Sequence, residues 1–147
     1  MKPHDLTIRT YRNEDFEGVL KLLAQLWPNK MLDRNLLLEV FQRALASDRQ
    51  VYLCAIVQAQ VVGFGSLTVK NNLWQQGYLA TIDELVVDAE HRGAGVGTQL
   101  LQHLTSLAKK RGCHVVELDS AFHREAAHGF YEQQGFQKRA YLFSKIL

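Results

Sequence analysis

The stretch Ile82–Leu101, IDELVVDAEHRGAGVGTQLL, changes character twice within twenty residues. Ile82, Leu85, Val86 and Val87 favour a strand, two of them through β-branching. Arg92-Gly93-Ala94-Gly95-Val96-Gly97-Thr98 then brings three alternating glycines, and Leu100, Leu101, Leu104, Leu107 and Ala108 repeat at helical spacing. A glycine loop that opens a helix bares the first-turn N–H groups, which have no partner inside the helix and sit at the positive end of its dipole. Such an end holds phosphate, and Arg92 adds a full positive charge beside it.

Around this stretch the chain alternates between strand and helix patterns. Leu6–Thr10 reads as a short strand, followed by a helix capped at Asn13 or Asp15 and ended by Trp27-Pro28. A second helix is expected from Asp33 to Ala46, with Leu36, Leu37, Val40, Phe41 and Leu45 facing inward. Val51–Val57 and Val61–Val69 form a hairpin about Gln58-Ala59-Gln60, and Gly63 and Gly65 inside its second strand indicate a bulge or a close approach to the backbone. Lys70–Gln76 is a loop, and Tyr78–Val87 is the strand that feeds the glycines. After a helix to about Lys110 come a strand at His114–Leu118, a helix at Arg124–Gln134, and one or two last strands within Phe136–Ile146. The order predicts a layered α/β fold in a single domain, residues 1–147.

Composition narrows the function. The 147 residues are 47% hydrophobic and 22% charged, ordinary for a soluble globular domain. A formal net charge of +2 is too small for bulk nucleic-acid binding. Two cysteines, Cys54 and Cys113, lack metal-ligand spacing and point to a reducing compartment. No signal peptide and no membrane-span length of apolar residues is evident, so the expectation is a cytoplasmic protein with no membrane partner. His123 and His128 are five apart and do not share a helix face, so no metal site is expected.

The glycine loop admits several phosphate ligands. A dinucleotide fingerprint needs G-x-G-x-x-G in a tight turn, but here the pattern is G-x-G-x-G, and five residues, Asp88 to Arg92, separate Val87 from its first glycine. A nucleoside-triphosphate loop needs Gly-Lys-Ser/Thr, which is absent. A purely structural turn would spend backbone entropy on three glycines without return. A third reading is a pyrophosphate cradle for coenzyme A, which rests on a resemblance. Val86-Val87-x-x-x-x-Arg92-Gly93-x-Gly95-Val96-Gly97 closely resembles the acyl-CoA signature of the GNAT superfamily of CoA-dependent N-acyltransferases, and Ala127-x-x-Phe130-Tyr131-x-x-x-Gly135-Phe136 resembles its second signature. Within the superfamily, Glu84-Leu85-Val86-Val87, the run from Arg124 to Tyr131 and the tail Phe143-Ser144-Lys145-x-Leu147 are most similar to aminoalkylphosphonate N-acetyltransferases. Leu26-Trp27-Pro28 is similar to aminoglycoside N-acetyltransferases. Arg124 stands where many relatives carry asparagine, and Thr81 where some carry glutamate.

The resemblance implies a mixed, twisted sheet of six to seven strands flanked by four helices, and acetyl-CoA as co-substrate. It implies direct attack of a small primary amine on the thioester in a ternary complex, and a homodimer. The cofactor set would be Leu85, Val86, Val87, Arg92, Gly93, Ala94, Gly95, Val96, Gly97, Thr98, Ala127 and Tyr131. Tyr131 would give the leaving thiolate its proton, and the N–H of Val86 or Val87 would hold the thioester oxygen. A primary amine is protonated at neutral pH and needs a proton acceptor before it attacks. Asp83 and Glu84 are the two candidates. As strand neighbours they face opposite ways unless a bulge intervenes. Trp27, Trp74, Tyr78 and Glu84 are candidate acceptor-pocket residues. Protein or peptide acetylation, or an acyl-CoA sensor without chemistry, are the alternative functions.

Overall fold

A computed structural model describes residues 5–147; residues 1–4 of the expected single domain lie outside the described residues. Two compact units divide at Glu117. The first holds β1 (Leu6–Thr10), α1 (Phe16–Leu26), α2 (Arg34–Leu45), β2 (Gln50–Val57), β3 (Gln60–Asn72), β4 (Gly77–Val87), α3 (Val96–Lys110) and all but the last residue of β5 (Cys113–Leu118). The second holds α4 (Glu125–Gln133) and the tail.

The sheet has five strands in the order β1-β2-β3-β4-β5, of which β1 to β4 pair antiparallel. From β4 the chain crosses through α3 to β5, its neighbour, which is the crossover a mixed sheet requires. The expected six to seven strands are therefore corrected to five: Phe136–Ile146 forms no strand among the described residues. In that tail Tyr141, Leu142, Phe143 and Ile146 are exposed, so its apolar residues lack the paired, half-buried surface that makes a β-former into a strand.

Two apolar layers cover the sheet. On β3, Phe64 joins Cys54 and Val86 in a cluster with Phe16, Val19, Leu22 and Leu23 of α1 and Phe41 of α2. Gly63 and Gly65 lie to either side of Phe64 and face the other way, toward α3. A Cβ on Gly63 would come within 2.8 Å of Leu100 and 3.2 Å of Val96, and one on Gly65 within 2.8 Å of Leu104. These glycines thus mark close approach of α3, and a bulge also lies beside Gly63, where Ala55 pairs with Gly63 and Ile56 with Val61 so that Val62 is an extra residue. The hairpin turn Gln58-Ala59 is left-handed at both residues (φ 49° and 64°), the two-residue geometry that matches strand twist.

Asp15 does not cap α1 with its side chain. Its buried carboxylate accepts from the Arg12 N–H and from the Arg9 guanidinium, at 2.8 and 2.7 Å, and so closes the short 3₁₀ turn Asn13–Asp15 ahead of the helix. On α2 the inward face is narrower than expected. Phe41 and Ala44 are buried, whereas Leu36, Val40 and Leu45 are exposed, because α2 packs mainly on the single strand β2. Among the described residues no helix is long and apolar enough to cross a membrane.

Candidate functional site

The cradle is built from backbone. After Val87 the chain makes a 3₁₀ turn at Ala89–His91, extends at Arg92, and passes through Gly93 and Gly95 at φ +81° and +83° before α3 begins at Val96. A Cβ at either glycine would meet nothing within 4 Å, so the left-handed backbone, rather than crowding, calls for glycine there. No side chain caps α3, which leaves the N–H groups of Val96, Gly97 and Thr98 available at its positive end. Ala94 and Arg92 are exposed beside them.

The edge on which this cradle opens follows from one hydrogen bond. The Asp88 N–H donates to the Val62 carbonyl of β3 at 2.8 Å. Successive N–H groups of an extended strand point to alternate edges, so the N–H and carbonyl of Val87 face away from β3, as do those of Leu85. Arg92 Nε donates to that Val87 carbonyl at 3.3 Å, which puts the arginine on the same edge.

The two carboxylates of β4 sit at a bulge. Ser66 of β3 pairs with Glu84 while Leu67 pairs with Ile82, so Asp83 is an extra residue. The strict alternation that would separate Asp83 from Glu84 is broken there. Glu84 is half-buried. Its Oε1 accepts from Ser66 Oγ at 2.5 Å, and its own N–H donates to the same Oγ at 2.9 Å. Ser66 is fully buried and spends both hydrogen-bonding directions on one residue. Asp83 is exposed and accepts from Thr68 Oγ1 at 2.5 Å. Tyr52, the β2 partner of Ser66, is pushed up to about 12, first by burial and then by the nearby charges of Glu84 and Asp83. Tyr52 is a neutral phenol beside the carboxylates.

The aromatic residues expected near the acceptor separate. Trp27 follows α1 and packs half-buried against the core cluster that contains Phe64. Trp74 is 83% exposed in the β3–β4 loop, and Tyr78 lies six residues before Glu84, about 20 Å along the strand. The structure does not bring Trp74 or Tyr78 to Glu84.

In the second unit α4 carries Ala127 and Tyr131, both half-buried. The Tyr131 ring lies between Phe130 and Phe136, with centroids 5.5 and 5.9 Å away. Burial raises its phenol above the ordinary value; Arg124 opposes this and Asp119 adds to it. His128 is tied to the Ala121 carbonyl at 2.9 Å, and His123 is exposed. Burial raises both thiols, Cys54 to about 12, so neither is a ready thiolate.

Sequence reasoning overlooked Ser66 and Tyr52. A signal for Ser66 existed: it is the one hydroxyl within the otherwise apolar run from Val61 to Leu67. A buried hydroxyl needs a partner, and here that partner is Glu84.

Comparison with known proteins identifies the lineage. The model of the acetyltransferase (GNAT) family matches residues 7–136. The chain belongs to that family. It is 31% identical over 140 residues to an aminoalkylphosphonate N-acetyltransferase of Salmonella typhimurium, covering 95% of this chain and 90% of the relative. It is 30% identical over 135 residues to a glucosamine 6-phosphate N-acetyltransferase of Trypanosoma brucei brucei, covering 90% of each. Among solved structures, a transcriptional regulator from Bacillus halodurans C-125 superposes with a TM-score of 0.86 at 27% identity, over 97% of this chain and 99% of that one. As a GNAT protein with N-acetyltransferase relatives, the chain is an acetyl-CoA-dependent N-acetyltransferase.

Proposed function

We propose that this acetyltransferase moves the acetyl group of acetyl-CoA directly to a primary amine of a small molecule within a ternary complex. The observation that carries the reading is Glu84: a half-buried carboxylate, re-aimed by a bulge and held by Ser66, on the strand that leads into the cradle. Glu84 takes the ammonium proton, directly or through water. The freed amine attacks the thioester carbon while the N–H of Val87 receives the developing oxyanion; its direction, away from β3 on the edge shared with Arg92, favours it over Val86. The N–H groups at Val96–Thr98 and the Arg92 guanidinium hold the pyrophosphate. When the carbon–sulfur bond breaks, the Tyr131 hydroxyl protonates the thiolate, a role that suits a phenol kept neutral by burial, and the second proton that the nitrogen sheds as the amide forms restores the phenol, through water. Two raised thiols supply no cysteine nucleophile, which supports direct transfer over an acyl-enzyme.

The names of the two curated relatives favour one acceptor class, since each denotes an amine that also bears a phosphonate or phosphate. We therefore place such amines first, with Trp27 as a wall of their pocket. The reading extends to one catalytic domain over residues 1–147, supported by a family match that spans both units, and to a cytoplasmic setting. It also includes a homodimer, supported by Tyr141, Leu142, Phe143 and Ile146 standing 71–98% exposed in the tail. The test is a thiol-release assay over aminoalkylphosphonates, amino-sugar phosphates, aminoglycosides, polyamines and amino acids. Turnover with an amine of the first two classes is expected; acetyl-CoA binding with silence across all amines would replace catalysis with sensing. Tyr131→Phe should lower kcat at least tenfold and leave acetyl-CoA affinity within about twofold. In the parent protein, activity should persist to above the ordinary phenol value near 10 before falling with Tyr131 deprotonation.

A further inference from the structure

The turn that enters the cradle is fastened to α1 by a polar cluster that the reaction does not use. Asp88, the first residue beyond β4, engages every polar group it has. Its N–H donates to Val62 O at 2.8 Å, and its carbonyl accepts from the His91 N–H at 2.9 Å. Its two carboxylate oxygens meet Gln25 Nε2 and His91 Nδ1, each at 2.8 Å. Gln25, in the last turn of α1, closes the arrangement by accepting the Ala89 N–H on Oε1 at 3.0 Å. One glutamine amide therefore grips two successive residues of the loop, 63 and 64 positions away in sequence. The Gln25 bond is the main reason that Asp88 titrates below an ordinary aspartate, followed by the bond to His91.

Such a fastening has a use here. Only two residues after His91 begin the left-handed glycines, whose backbone freedom must be given up when a pyrophosphate is bound. A loop already fixed at its entrance has less to lose. We propose that Gln25, Asp88 and His91 are positioning residues that hold the phosphate loop in its binding geometry, so that their contribution is to acetyl-CoA affinity and not to the chemical step. This rests on the cradle reading of residues 92–98.

The cluster permits a test by reversal of donor and acceptor. Gln25→Glu keeps size and the acceptor for the Ala89 N–H, but sets a carboxylate against the Asp88 carboxylate. It should raise the Kd and KM for acetyl-CoA about five- to tenfold, the scale of one or two partly exposed hydrogen bonds, with kcat and the amine KM unchanged. Adding Asp88→Asn restores a donor opposite the new carboxylate, and the double variant should return to within about twofold of the parent Kd. Gln25 is exposed, so both variants should fold; their melting temperatures verify it. The parent protein is titrated first. No acetyl-CoA binding by the parent overturns the cradle. Parent binding with an unchanged Kd in Gln25→Glu, a loss in kcat instead of affinity, or no recovery in the double variant overturns the positioning role alone.

Discussion

The phosphate loop and the carboxylate bulge lie on either side of Leu85–Val87, and they are made in opposite ways. The loop works through backbone: two left-handed glycines and an uncapped helix end, with Arg92 as its one charged side chain. The bulge works through side chains: one extra residue turns Glu84 against a buried serine and a neutral tyrosine. A site made of N–H groups tolerates changes of side chain but not of backbone angle. A site made of one carboxylate in a fixed place is the reverse. On the proposed reading, binding and chemistry are separable on this strand, and substitutions can take them apart.

The largest effect should come from Glu84→Gln, which keeps the shape and the Ser66 contact but removes the proton acceptor. We expect kcat to fall on the order of a hundredfold or more in steady-state thiol release. Gly95→Ala should act on the other side. A side chain at φ +83° costs about 1–2 kcal/mol, so acetyl-CoA should bind about tenfold more weakly by calorimetry while kcat at saturation is retained. Ser66→Ala probes how firmly Glu84 must be held: loss of its hydrogen bond should lower kcat by up to about tenfold with little change in acetyl-CoA KM. Asp83→Asn should do least, less than about threefold in any constant, because Asp83 is exposed and tied to Thr68. A larger loss from Asp83→Asn than from Glu84→Gln would exchange their roles.

The same contrast explains what could be read from the chain. The loop was legible because a left-handed backbone demands glycine, and Gly93 and Gly95 record that demand in residue identity. Gly63 and Gly65 were legible for the related reason that α3 leaves no room for a Cβ. The bulge at Asp83 was legible only as an alternative to strict alternation. Nothing in Ile82-Asp83-Glu84 states that Leu67 will pair with Ile82 and skip Asp83, since that register depends on how β3 and β4 align over their whole length. Periodicity also overstated α2, where Leu36 and Val40 belong to an apolar pattern wider than the surface it covers. The tail Phe136–Ile146 has β-forming residues but no strand in the described structure, for strand propensity is realised only against a partner.

The central claim is that the two sides of Leu85–Val87 divide the labour of one acetyl transfer. Titration calorimetry of acetyl-CoA into the parent protein, Glu84→Gln and Gly95→Ala tests it most directly. The account predicts equal affinity, within about twofold, for the parent and Glu84→Gln, and about tenfold weaker binding for Gly95→Ala. No binding by the parent, or a Glu84→Gln affinity that falls as far as that of Gly95→Ala, would contradict it.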